Sequence, residues 1–282
     1  MATDTEIANQ ALMRVGAESI TSGEWNTPSN ERSRVVKNSW PFVRRAVLRE
    51  HPWNVVTTRE KLTEESTASV GLKPQFDFAS SYALPASCIR VLEVDTDEQW
   101  RVERAPVAVG VAVNYGGAYP SVASGVVGVQ TSGNHNLTSG DRVILTSATH
   151  VGLANTVHTA TVLLAQFFTL PDVDPTGFVA GSSSGSVQKV TMSPAIVTDA
   201  TGALSVRFIE DVTDPSDFDP MLTEALVLRM AAEIVERVTD STRKREMLLA
   251  EYDAYMREVK HIEGEEQSPS EFEEDAWITS RY

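Results

Sequence analysis

Apolar residues first recur at helical spacing near the start of the chain. Ile7, Ala8, Ala11, Leu12 and Val15 fall on one face, Thr3 and Glu6 have the spacing of a capping box, and Gly16 can close the helix in a left-handed conformation. A second helix is predicted from "NTPSNERSRVVKNSWPFVRRAVLREHPWN", with Thr27 as cap, Pro28 at the first helical position and Val36, Trp40, Val43 and Val47 on its apolar face. Pro41 lacks a backbone donor, so a kink is expected there, and Pro52 ends the pattern. From Trp53 to Val102 the period shortens: "WNVVTTREKL", "FDFASSYAL", "CIRVLEVD" and "QWRVERA" read as strands of a small antiparallel sheet.

Between about Tyr115 and Thr191 the chain turns to Gly, Ser, Thr and Val with few charges and no helical pattern, which predicts an inserted all-β module. "AIVTDATGALSVRFIED" then reads as a hairpin with Gly202 in its turn, resuming the first sheet. A helix opens at Asp219-Pro220, apolar on most sides except for a charged stripe of Arg229, Glu233 and Arg237. Ser241 caps the last helix, whose Leu248, Tyr252, Tyr255, Met256, Val259 and Ile262 form one seam. The expected class is α+β. A four-helix bundle with a small antiparallel sheet (1–114 and 192–264) is interrupted by a barrel-like β module (115–191) and followed by an acidic extended tail (265–282).

Charge sharpens the picture. Twenty-four Lys and Arg against 39 Asp and Glu leave a net charge of -15, which argues against a surface whose main task is to grip phosphate or anionic lipid. One cysteine cannot form an internal disulfide. The opening residues lack the basic and apolar regions of a leader, and no apolar run approaches ~18 residues. The expectation is a chain that folds in the cytoplasm and meets no membrane.

Catalytic chemistry finds little footing. Cys88 sits in an apolar strand run, and His51, His135, His150, His158 and His261 are scattered over different elements, so no base partners the thiol. No pair of histidines has metal-ligand spacing, and no cofactor is expected. Asp211, Asp214, Asp217 and Asp219 lack the pattern of a calcium loop and read as turn and capping residues. The chain is therefore not expected to be an enzyme.

Binding residues stand out more. Arg32, Arg34, Arg44 and Arg45 make the second helix basic, which suits salt bridges to a subunit or partner better than nucleic-acid readout; a merely solvated face is the other reading. The tail carries a run of acids followed by Trp277, Ile278, Arg281 and Tyr282. Its aromatics have the character of interface anchors, for a partner or for the chain's own core.

Several segments together resemble the head-to-tail adaptors of short-tailed bacteriophages, the tail tubular protein A family. They are "EIANQALMRVGAESI", "NERSRVVKNSWPFVRRAVLREHPWN", "YALPASCIRVLEV", "LSVRFIEDVTDPSDFDPMLTEALVLRMAAEIV" and "YDAYMREVK", covering roughly the first 104 and last 90 residues. The segments "VQTSGNHNLTSGDRVILTSA" and "FFTLPDVDPTGFVAGSSSGSVQKV" are similar to the small β-barrel module named after the first catalytic cysteine half-domain of ubiquitin-activating enzymes, a likeness of fold and not of chemistry. The first resemblance implies a virion protein, assembled in the host cytoplasm. It would form a ring, of twelve subunits in the family pattern, between portal protein and tail nozzle protein, with genome DNA passing through the lumen without sequence-specific binding. It also implies that the tail reaches portal clefts, with Trp277, Ile278, Arg281 and Tyr282 as anchors. The alternative is a tail-associated binding protein whose β insert contacts a receptor or another virion protein.

Overall fold

The structure is a computed structural model that describes residues 3–65, 72–74, 76–121, 126–146, 153, 156–174 and 185–266. It is mixed α and β. Among the described residues are five α-helices, a large, nearly closed antiparallel sheet and a small sheet. The chain divides into two compact units, one drawn from Met1–Thr58, Ser87–Leu92 and Phe208–Tyr282, the other from Arg59–Ala86 and Glu93–Arg207.

In the first unit α1 (Asp4–Val15) starts and ends as its sequence predicts. Thr3 Oγ1 accepts from the Glu6 amide, Glu6 returns the bond to the Thr3 amide at 2.8 Å, and Gly16 takes φ +80°. The next helices depart from expectation. A short α2 (Ser22–Asn26) with its own Thr21/Glu24 capping box comes first, and α3 (Glu31–Glu50) begins at Asn30, not at Thr27-Pro28. The Asn30 side chain accepts from the Ser33 amide at 2.7 Å, so it satisfies a free helix-start donor that Thr27, at the end of α2, cannot reach. α3 continues through Pro41 to Glu50.

Asp219 caps α4 (Pro220–Thr239) through the Leu222 amide, and Ser241 caps α5 (Thr242–Glu265) through that of Lys244. α4 packs against α1, α3 and α5, which is why Leu222, Ala225, Leu226, Met230, Ala231, Ile234 and Val235 are all buried. They meet Leu12 of α1, Trp40 and Val47 of α3, and Tyr252, Met256 and Val259 of α5 in one core.

The strands among the described residues are, in chain order, β1 (Thr57–Leu62), β2 (Ser80–Ala83), β3 (Cys88–Val94), β4 (Trp100–Ser121), β5 (Val126–Thr131), β6 (Arg142–Thr146), β7 (Val157–Thr159), β8 (Thr161–Leu164), β9 (Phe167–Leu170), β10 (Gly185–Thr198) and β11 (Leu204–Glu210). The small sheet has the order β1-β11-β3, and the chain passes between units within these strands. β10 and β11 are not partners, so the expected hairpin about Gly202 is absent. β10 pairs with β2, β4 and β6, and Gly202, at φ +86°, turns the chain from one sheet into the other. Likewise β2 joins the large sheet, not the small one. Positions 115 and 191, where composition changes, lie inside β4 and β10, whose ladder runs from Trp100 opposite Thr198 to Tyr115 opposite Gly185.

In the second unit the large sheet runs β7-β6-β10-β4-β5-β9-β8. Its end strands β7 and β8 are consecutive in the chain, separated by Ala160 alone, so the sheet curls round almost to closure. Ala160 exchanges backbone bonds with Gly140 and Asp141 at 2.9 and 2.8 Å, tying the seam. Alternate residues point inward: Val127 and Val129, Val143 and Leu145, Phe168 and Leu170 fill the interior with Tyr115, Leu137 and Val187.

Candidate functional site

Helical spacing on α3 and α4 builds an open groove in the first unit. Glu31, Arg34, Asn38 and Phe42 follow one another at intervals of three or four along α3, and Arg229, Glu233 and Arg237 at intervals of four along α4. The seven side chains, with Val35 and Val43 beneath them, line a cavity of about 440 Å³. Phe42 is 77% exposed, although it neighbours the buried Val43. The Arg229 guanidinium stands 5.6 Å from the centre of the Tyr252 ring, while Arg34 reaches back to the Asn30 carbonyl at 3.4 Å. Among the described residues none of Arg34, Arg229 and Arg237 forms an ion pair. Guanidiniums without a carboxylate partner, beside an uncovered aromatic ring, form a surface suited to an acidic, aromatic peptide.

The four basic residues singled out in α3 have separate fates. Arg44 is buried and donates to Asp211 Oδ1 at 2.6 Å, and the exposed Arg45 donates through Nε to Oδ2 of the same carboxylate at 2.8 Å. These two are thus held by the chain itself. Arg32 faces Glu18 at 3.4 Å, and only Arg34 lies in the groove. Trp277, Ile278, Arg281 and Tyr282 lie outside the described residues.

The aspartates divide by role. Asp219 caps α4 and Asp214 accepts from the Ser216 amide at 2.9 Å, as turn and cap chemistry predicts, whereas Asp211 is the shared arginine partner. Backbone donation from Ser216 lowers the Asp214 pKa, and burial raises that of Asp219. Cys88 is half-buried on β3, and burial pushes its thiol up against the pull of Arg49, away from the thiolate form. Two features had no local sequence signal: the Phe42 groove and a buried pair in which His51 Nε2 lies 2.8 Å from Glu263 Oε2, with the Trp53 ring edge-on to His51. No helix among the described residues is long and apolar enough to cross a membrane.

Two tyrosines of α5 give the first unit an alkaline limit. Tyr252 donates to Glu50 at 2.7 Å and Tyr255 to the Met221 carbonyl at 3.2 Å. Burial raises both, with nearby carboxylates adding to it, and Tyr255 is pushed up to about 12. Unfolded tyrosine ionises near ~10, so the unfolded chain sheds these protons first. Their contribution to stability is therefore complete below pH ~10 and lost as pH rises through the raised values. Denaturation midpoints between pH 8 and 11.5 should fall steeply for the native chain and less steeply for Tyr255→Phe. Equal slopes would contradict this assignment.

The chain matches no protein-family model, and a search of curated proteins finds no match.

Proposed function

We infer that the chain is a non-enzymatic structural protein of a short-tailed phage virion, a head-to-tail adaptor that assembles into a twelve-subunit ring between portal and tail nozzle. The observation that carries this reading is the set of segments resembling that family: they are the ones that form α1, α3, β3, β11, α4 and α5, and they supply the buried core of the helical unit. On this reading α1, α3, α4 and α5 make a four-helix bundle, and the β-barrel module is an insert upon it. The net charge of -15 fits a channel whose carboxylates repel the phosphate backbone, so that DNA slides without sticking. Trp277, Ile278, Arg281 and Tyr282 are the proposed portal anchors.

One observation favours a second reading, in which the β module contacts a receptor or another virion protein. Leu163 and Leu164, at the end of β8, are 58% and 69% exposed, an apolar tip that solvent does not favour. Imaging the chain mixed with its portal, with and without residues 267–282, separates the readings. The adaptor predicts rings on the portal that the truncation weakens. Absence of portal-bound density for both chains refutes it.

A further inference from the structure

We propose that, before the chain meets a partner, the groove between α3 and α4 receives residues 271–278 of the same chain, the acidic, aromatic segment beyond α5. This inference stands apart from the adaptor reading and rests on charge, spacing and reach. Three guanidiniums, those of Arg34, Arg229 and Arg237, face two carboxylates in the groove and leave it positive within a chain of net charge -15. Glu271, Glu273, Glu274 and Asp275 give the segment four negative charges and no positive one.

Spacing agrees. Laid down as an extended strand, alternate residues share a face, which places Glu271, Glu273, Asp275 and Trp277 side by side. Three carboxylates then meet three guanidiniums, and the indole follows them towards the far end of the groove. Glu271 to Asp275 spans ~13 Å in that form, against ~12 Å between Arg229 and Arg237 along α4.

Reach agrees as well. The end of α5 is pinned beside the end of α3, where His51 meets Glu263 and the Asn54 amide donates to Glu266, each at 2.8 Å. From Glu50 the groove runs back along α3 over ~6 to ~29 Å, Ala46 to Glu31, at the helical rise per residue. Glu271 lies five residues beyond Glu266 and can extend ~16 Å, past the level of Phe42 at ~12 Å, and Asp275, nine residues beyond, can extend ~30 Å, past Arg34 at ~24 Å. An intramolecular partner at such short range also faces an effective concentration that a second copy in dilute solution cannot match.

The test uses the full chain with the photoreactive residue p-benzoylphenylalanine in place of Phe42, an exposed position where the change leaves the core intact. After illumination at low protein concentration, cross-links should map to residues 271–278 within species of single-chain mass, 30.8 kDa. The triple variant Glu271→Gln, Glu273→Gln and Asp275→Asn should cut their yield at least ~10-fold, the worth of ~1.4 kcal/mol. Unchanged helical circular dichroism in the variant excludes loss of folding as the cause of the result. No cross-link to the segment, cross-links confined to dimers, or a yield unmoved by the variant would each overturn the proposal. A chain that binds portal yet shows no such cross-link would sink this inference alone.

Discussion

Replacing Asp211 with alanine is expected to destabilise the helical unit by about 3–5 kcal/mol, because it strands a buried cation. Arg44 and Asp211 have side chains only 9% and 11% exposed, and their 2.6 Å contact joins α3 to the segment leaving β11. Arg45 uses the second oxygen of the same carboxylate but is 66% exposed, so Arg45→Ala should cost about 1 kcal/mol or less. The contrast distinguishes a stranded charge from a lost surface bridge. Replacing Arg44 and Asp211 together by methionine and leucine should recover most of the loss, since the desolvation penalty of both ions disappears. Urea denaturation followed by helical circular dichroism reads all three variants. A loss below about 1 kcal/mol in Asp211→Ala would show that the pair is solvated.

Phe168→Ala should cost the β-barrel unit a similar amount, about 3–5 kcal/mol, for a different reason. The ring is fully buried among Val127, Val129, Leu145 and Tyr115, and His135 stands edge-on to it with centroids 5.4 Å apart. His135 is itself fixed by the Leu164 carbonyl and the Leu137 amide, at 2.9 and 3.0 Å, so it cannot swing into the space. A cavity therefore remains, and its unfilled volume adds to the lost transfer energy. Hydrogen exchange at the amides of β5 and β9 measures the effect where it arises. Phe168→Leu, which keeps most of the volume, should retain more than half of the protection that alanine loses, and equal losses would argue against a packed ring.

Much of the helical unit was legible because its signals are local. Thr3, Glu6 and Gly16 bound α1, and Asp219-Pro220 and Ser241 open α4 and α5, each through bonds within three or four residues. The start of α3 is not legible locally, because Thr27-Pro28 carries the same signal as Asn30 and only the placement of α2 decides between them. Strand pairing is less legible, since partners are set by distant segments. β10 and β11 look like a hairpin across Gly202 but belong to different sheets. Within the candidate site, the charged stripe of α4 was visible in the periodicity, whereas its pairing with Phe42 of α3 required the packed structure. Asp211 resembles the capping aspartates that follow it in sequence, because no local pattern ties it to arginines some 166 residues away.

The most direct test of the adaptor proposal is the mass of the complex formed when the full chain meets portal particles, read by native mass spectrometry. Twelve copies of the 30.8 kDa chain should bind each portal ring, with few intermediates once assembly begins. A portal whose mass is unchanged, beside a chain that remains at 30.8 kDa, would contradict the account.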